Sequence, residues 1–546
     1  MDRRSFITAN KTAPGFIPAE FRTFSGLSAY SPPFGPADII HLLKRTLFGV
    51  KQADIAQISG KPLNEALDIL LTAEPVPAPP VNNYNDINFT DPNVPAGQTW
   101  VKAPADGNAN SRRYTSFKSW WTGLMLNQTT SIHEKMVLFW HNHFATETVD
   151  IGDSRYVYKN NELLRTYALG NFKELVRKIT LDPAMLRYLN GYLNNKNSAD
   201  ENYARELQEL FTLGKGPKSN YTESDVKAAA RVLTGYTVNA ITISSAFDPL
   251  RHDSGLKQFS SFYNNTIIAG KTGANGAGET DELINMIFLQ SETALYICRK
   301  LYRFFVYYEI DEATEANVIV PMANLFRSAN YEIIPVLKAL FSSEHFFDPV
   351  NRGCLIKSPV DFCIGLCREY NIVFPLASDY VNQYYMLDYI RTQASNMQQN
   401  IGDPPSVAGW AAYYQEPQFH ELWINADTLP RRNQFSDVMI ANGYTRNGKK
   451  INIDILTFVS TLSNPANPST LISDSLAILY SIDISQQVRD FLKSILLSGQ
   501  LSDSYWTDAW TTYKTNPAIT ANRTIVLTRL QAMYKYLMNL PEYQLS

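Results

Sequence analysis

No run of about eighteen apolar residues occurs in the chain, which excludes a helix of the kind that crosses a membrane. Charge of one sign is missing too. Lys and Arg total 49 against 52 Asp and Glu, a formal net charge of -3. No global basic field therefore exists to hold nucleic acid or an anionic membrane. Cysteine is scarce: Cys298, Cys354, Cys363 and Cys367 are all there is. Cys363 and Cys367 stand i,i+4 on an expected helix, 359–370, a placement poor for an unstrained disulfide and unlike a zinc ribbon. All four read as buried thiols. Common catalytic signatures are absent as well. There is no Gly-x-Ser-x-Gly elbow and no His-Glu-x-x-His helix. Gly270-Lys271-Thr272 resembles the end of a phosphate-binding loop, but Asn265 stands where its first glycine belongs, which removes an NTPase site.

What is present describes a globular protein with a large core. Hydrophobic residues make up 45% and charged residues 18% of the 546, and that length favours two or three packed units. The 31 Tyr, 28 Phe and 8 Trp are a rich aromatic supply, of the kind common in exported proteins and in proteins that bind sugars or peptides. The start, Met1-Asp2-Arg3-Arg4-Ser5-Phe6-Ile7, looks like the opening of a twin-arginine export signal. Thr8 to Gly15 is not the apolar segment such a signal needs. Either the signal is degenerate or Arg3 and Arg4 are an exposed basic start.

Periodicity is helical nearly throughout, so the fold class expected is mainly α: a large multi-helix globular assembly with a small β-hairpin excursion around 236–269. Residues 1–35 read as an extended arm, 36–235 as an N-terminal helical domain carrying the site, 236–278 as the β/loop excursion and 279–546 as a C-terminal helical domain. Pro36 suits a first helical position and Gly49 a C-terminal cap. Pro75, Pro77, Pro79 and Pro80 open a long loop to about residue 110. Helices are expected at 114–126 and 132–144, the second entered through a capping box of Ser131 and Glu134. Thr222 is expected to cap a helix at 224–233, and 404–432 to fold back along the site.

Three polar clusters interrupt the apolar pattern. His141 and His143 have a metal-ligand spacing, but on a regular helix they point about 200° apart and cannot share one ion. They fall in a last turn, where the helix can unwind; otherwise each is a hydrogen-bonded histidine of its own. Glu206 and Glu209 lie i,i+3 on one helical face, as paired carboxylates for metal or acid–base work require. Arg205 is also placed to make a plain surface pair with Glu209. His252 and Asp253, with Lys257 beyond, sit in a loop, which reads as a site or as a turn with Asp253 capping it.

These stretches together resemble a known family. Its hallmark is similar to Lys135-Met136-Val137-Leu138-Phe139-Trp140-His141-Asn142-His143-Phe144, then Glu201-Asn202-Tyr203-Ala204-Arg205-Glu206-Leu207-Gln208-Glu209-Leu210-Phe211. Ala230-Arg231-Val232-Leu233-Thr234-Gly235, His252-Asp253, Arg299-Lys300-Leu301-Tyr302-Arg303-Phe304-Phe305 and Pro404 to Trp410 continue the match. The family is the large bacterial one known as domain of unknown function 1800, and Tyr236 stands here in place of its usual Trp. The resemblance implies a bacterial protein, an export signal of the twin-arginine type and an exported, sulfatase-like partner protein. It supplies no reaction.

Two functions follow as expectations. One is an exported, metal-assisted hydrolase, in which His141, His143, Glu206, His252 and Asp253 hold an unidentified divalent ion while Glu209, Arg205 and Lys257 are the catalytic groups. The other is a non-catalytic exported scaffold that binds a partner protein or a cell-surface polymer. Its contact surface would be the 75–110 loop with Trp100, Trp120, Trp121, Tyr413 and Tyr414. The location expected is the periplasm or the cell surface, with the cytoplasm as the alternative.

Overall fold

The computed structural model describes residues 26–546; Arg3-Arg4 and most of the expected N-terminal arm lie outside them. Helix accounts for 57% of the structure, and the strands form only two-stranded antiparallel sheets. The mainly α expectation is met.

The helices form where their caps place them. Pro36–Thr46 opens on Pro36, and Asp38 accepts from the amide of Gly35 at 2.9 Å. Gly107–Asn127 starts seven residues before the expected 114 because the Asp106 carboxylate accepts from the amides of Asn108 and Ala109, both at 2.9 Å. Thr222 caps Glu223–Val232 as expected, with Asp225 reaching back to the Thr222 amide at 2.7 Å.

The Ser131 capping box does not form. Ser131 Oγ donates to Thr72 O at 2.5 Å and accepts from His133 N, while Glu134 turns into the core toward Arg165. A buried guanidinium outcompetes an amide for that carboxylate.

The β excursion is present. Tyr236–Asn239 pairs with Ser244–Phe247, and Lys257–Gln258 with Ile267–Ile268. A third hairpin, Tyr444–Arg446 with Lys449–Ile451, turns at Asn447 and Gly448, both at positive φ, the strongest short hairpin signal. The long loop after Pro75 is held by two buried side chains. Asn82 accepts from the amides of Tyr84 and Asn85 and donates to Val94 O at 2.7 Å; Asp91 pairs with the buried Arg113 at 2.8 Å.

One continuous apolar core runs from Ile39 to Tyr543, so the segments 36–235 and 279–546 share it. Helix Gly107–Asn127 packs along Tyr380–Asn396, with Gly123 beneath Leu387. All four cysteines are buried free thiols. Arg368, buried on Pro359–Glu369, donates to Leu126 O and Gln128 O at 2.9 and 3.0 Å and to Asp54 at 3.0 Å. One guanidinium thus caps the end of Gly107–Asn127 and ties it to the N-terminal helices.

Gly49 closes the same junction. Its φ is +75°, and a Cβ there would stand 2.8 Å from Gly365 O and nearer still to Gly365 Cα. Gly60, at φ +77°, has nothing within 4 Å. Gly49→Ala is therefore expected to lower stability by more than about 2 kcal/mol, positive-φ strain and overpacking each costing about 1–3 kcal/mol. Gly60→Ala should lose only the strain, and thermal denaturation of the two variants checks the difference.

Candidate functional site

Helix His133–His143 has all 11 of its residues buried. A helix surrounded by protein needs apolar side chains or, for each polar one, a partner from a neighbour. His133 Nδ1 accepts from Glu74 N at 3.3 Å. Glu134 pairs with Arg165 and Lys135 with Asp361. Asn142 Oδ1 accepts from Trp410 N at 2.9 Å, so 404–410 does fold back on this helix.

The two histidines face different surroundings, as their helical angle requires. His141 sits edge-on to Trp121, 5.1 Å between ring centres, and 5.8 Å from the Trp410 ring. Burial lowers it to about 4, against the opposing influence of the Asp403 carboxylate. His143 Nε2 donates to Phe211 O at 3.0 Å, leaving Nδ1 to accept from Lys300 Nζ at 2.9 Å. Burial first, then the charge of Lys300, push His143 well below the ordinary imidazole range. Burial and the nearby Arg303 bring Lys300 itself down to about 7.

Helix Asn202–Glu209 carries the carboxylates. Arg205 does not pair with Glu209. It grips both oxygens of Glu223 at 2.7 Å and reaches Glu201 at 3.1 Å, while Glu209 pairs with Lys215. Glu206 is the unspent group: its Oε2 is buried without a hydrogen-bond partner. Burial, and then the charge of Glu209, raise its carboxyl above the ordinary range.

The 252–257 loop forms a third cluster, closed by a residue that sequence reasoning missed. Glu279, on Gly278–Phe288, is fully buried and accepts from Lys257 Nζ and from Lys271 N at 2.6 Å. Lys257 Nζ also donates to Asp253 O. The Asp253 carboxylate takes both ends of Arg231, at 2.7 and 3.1 Å. His252 Nδ1 donates to Thr234 O at 2.9 Å, and its Nε2 lies 3.2 Å from Glu279 Oε1 without hydrogen-bond alignment.

The structure thus brings Lys257, His252 and Asp253 together, pairs Glu206 with Glu209 on one helix, and sends His141 and His143 apart. As arranged, the donors do not fit one shared ion. Both His143 nitrogens are committed, Asp253 is held by a cation, and among the described residues no three His, Cys, Asp or Glu side chains gather as ligands. Besides Glu279, the sequence reading missed Glu134, Lys135 and Lys300. Their signal was available: Glu134 and Lys135 are charged residues at buried positions of a largely apolar helix, and Lys300 is one at a half-buried position of another.

Of the aromatic residues expected at a contact surface, the three tryptophans lie inside. Trp100, Trp120 and Trp121 are buried and belong to the core. Indole rings are taken inward by the area they bury, from the loop at Trp100 and from helix Gly107–Asn127 at Trp120 and Trp121. Tyr413 is half-buried and packs on Trp423, and Tyr414 is 40% exposed.

No curated protein and no solved structure was found to be similar to the chain. A family model, described as a protein of unknown function (DUF1800), matches residues 41–545, which takes in the buried helix, the carboxylate helix and the loop cluster alike. The chain belongs to the DUF1800 family.

Proposed function

We propose that this protein is a non-catalytic scaffold, exported to the periplasm or cell surface, that binds a partner protein. The observation that carries this reading is the closure of the polar clusters: Lys257 and Glu279 neutralise each other inside the fold, Asp253 is held by the half-exposed Arg231, and Glu134 pairs with Arg165 and Lys135 with Asp361. A catalytic constellation needs groups left uncommitted at a place substrate can reach. The surface adds a second support. Ile241, Leu250, Leu256 and Ile267 are 90%, 79%, 55% and 54% exposed, and all four fall in the β excursion. Exposed aliphatic groups suit a protein partner, whereas a sugar polymer calls for the aromatic faces that the tryptophans here keep buried. The partner favoured is the exported, sulfatase-like protein implied by the family resemblance; nucleic acid is disfavoured by the net charge of -3.

A metal-assisted hydrolase is the second reading, and one observation favours it. Glu206 Oε2 and His141 Nε2 are both buried without a hydrogen-bond partner, which leaves two groups whose chemistry is unspent.

Three measurements separate the readings. In the scaffold reading, Glu279→Gln lowers stability by about 3–5 kcal/mol, the usual cost of stranding a buried cation. Arg205→Gln costs less than about 1 kcal/mol, as for exposed pairs. Thermal denaturation that finds Glu279→Gln harmless rules out a structural role for the cluster. Coelution of the protein with the sulfatase-like partner is expected to be lost in an Ile241→Asp/Ile267→Asp variant; unchanged coelution removes the excursion as the contact. Elemental analysis of untagged protein beside His141→Ala/His252→Ala should find no stoichiometric metal in either. Metal that is present in the parent and lost in the variant transfers the function to the hydrolase.

A further inference from the structure

A recess elsewhere in the fold has the opposite character from the closed clusters. It lies where helices Pro36–Thr46, His133–His143 and Ser291–Phe305 meet the start of Pro359–Glu369 and the 412–423 segment. Four cationic side chains line it, Lys44, Arg45, Lys135 and Arg303, against one acidic side chain, Asp361; Ser546 also lies in the lining. Asp361 is taken by Lys135.

The other three cations are poorly compensated. Lys44 is buried and its Nζ makes no hydrogen bond; the nearest carboxylate oxygen, Glu369 Oε1, is 4.0 Å away and also faces Lys357 at 3.8 Å. Arg45 is buried as well. Its Nη2 donates to Asn351 O at 2.6 Å, but Nε and Nη1 have no acceptor, and among the described residues no carboxylate pairs with it. Arg303 Nε donates to Tyr308 O at 3.2 Å and its guanidinium lies over the Phe419 ring, but the carboxylate it meets, Glu416 at 3.5 Å, is largely exposed.

Buried charge without a counter-charge is costly, and the cost falls when an anion supplies the missing acceptors. Among the described residues, Arg45 is buried without a carboxylate, and Lys44 shares the Glu369 carboxylate with Lys357, so positive charge is left in excess at the recess. The free N–H groups of Lys44 and Arg45 come from neighbouring positions on one helix and face cations from two other helices, which suits an ion with oxygens in several directions. The cavity volume is about 40 Å³, and one water needs about 10–15 Å³ on that measure. A group the size of a few waters fits; a peptide or sugar ring does not.

We infer that this recess binds a compact tetrahedral oxyanion, of the phosphate or sulfate type, free or as the end group of an ester. Lys44 and Arg45 form its inner wall, Lys135 is shared with Asp361, and the half-buried Arg303 stands at its mouth. The aromatic side chains Phe304, Tyr413, Phe419 and Trp423 line the remainder. The inference goes beyond the scaffold reading and does not depend on it.

Inorganic phosphate, added to the full chain with ionic strength held constant by chloride, is the probe. Calorimetric titration and the thermal midpoint are expected to show saturable binding with a Kd at or below about 1 mM. Inorganic sulfate should compete, and acetate should not. Lys44→Met and Arg303→Gln should each weaken binding about tenfold or more, the scale of one lost charge-assisted hydrogen bond. Lys44→Met should fold at least as well as the parent, because it removes a buried ammonium that makes no hydrogen bond and leaves Glu369 facing Lys357. If it fails to fold, Arg303→Gln, at the half-exposed mouth, decides. Glycerol phosphate binding as tightly as phosphate assigns the site to an ester end group; binding of the inorganic ion alone assigns it to the free anion. No stabilisation beyond chloride, equal binding in parent and variants, or preference for acetate overturns the inference.

Discussion

A helix with no exposed residue cannot leave a charge or an imidazole to water, and His133–His143 has six polar side chains among eleven buried positions. The surrounding elements answer that demand for Glu134, Lys135, Asn142 and His143, and leave His141 Nε2 without a hydrogen bond. Ser154–Thr166 supplies Arg165, Pro359–Glu369 supplies Asp361, and Ser291–Phe305 supplies Lys300. The fold-back segment after Pro404 supplies the Trp410 amide. Each contact is long-range in sequence and short in space, so the helix fixes how distant parts of the chain meet. The low polarity of the interior makes each pairing strong and each failure to pair expensive.

The same constraint sorts the molecule's other charges. Where the fold provides partners, charge becomes structure: Arg368 closes the end of Gly107–Asn127 and holds Asp54, and Glu279 gathers Lys257 and Lys271. Where it does not, as with Lys44 and Arg45, charge remains available to something outside the chain. Residue types that suggest catalysis in a list, such as His-Asp beside Lys, can therefore be architectural, while the more ordinary Lys-Arg pair of the first helix keeps polar atoms unspent. Balance of charge, more than residue identity, separates the two roles.

Much of the fold was legible because its signals are local. Helical periodicity, the Thr222 cap, the shift to β-favouring residues after Tyr236 and the reduced thiols at Cys363 and Cys367 each depend on a few neighbouring residues. The divergence of His141 from His143 was legible for the same reason, since helical geometry alone sets their angle. The Asn447-Gly448 hairpin carried an equally local signal. Ser131 looked like a cap and Glu134 like its partner, but Arg165, thirty-one residues on, outbid the local amide. Arg205 was within reach of Glu209 by spacing and went instead to Glu223 on the next helix.

By itself, the sequence determined the mainly α class, the family and the positions where chemistry-bearing side chains stand, because each of these is written in short-range pattern. Tertiary structure alone decided which of those side chains are spent. It took Trp100, Trp120 and Trp121 into the core, closed Lys257 on Glu279, and left Arg45 facing a recess without a carboxylate of its own. The physical reason is that a buried charge is settled by the nearest opposite charge in space, and in this chain that charge stands tens to hundreds of residues away.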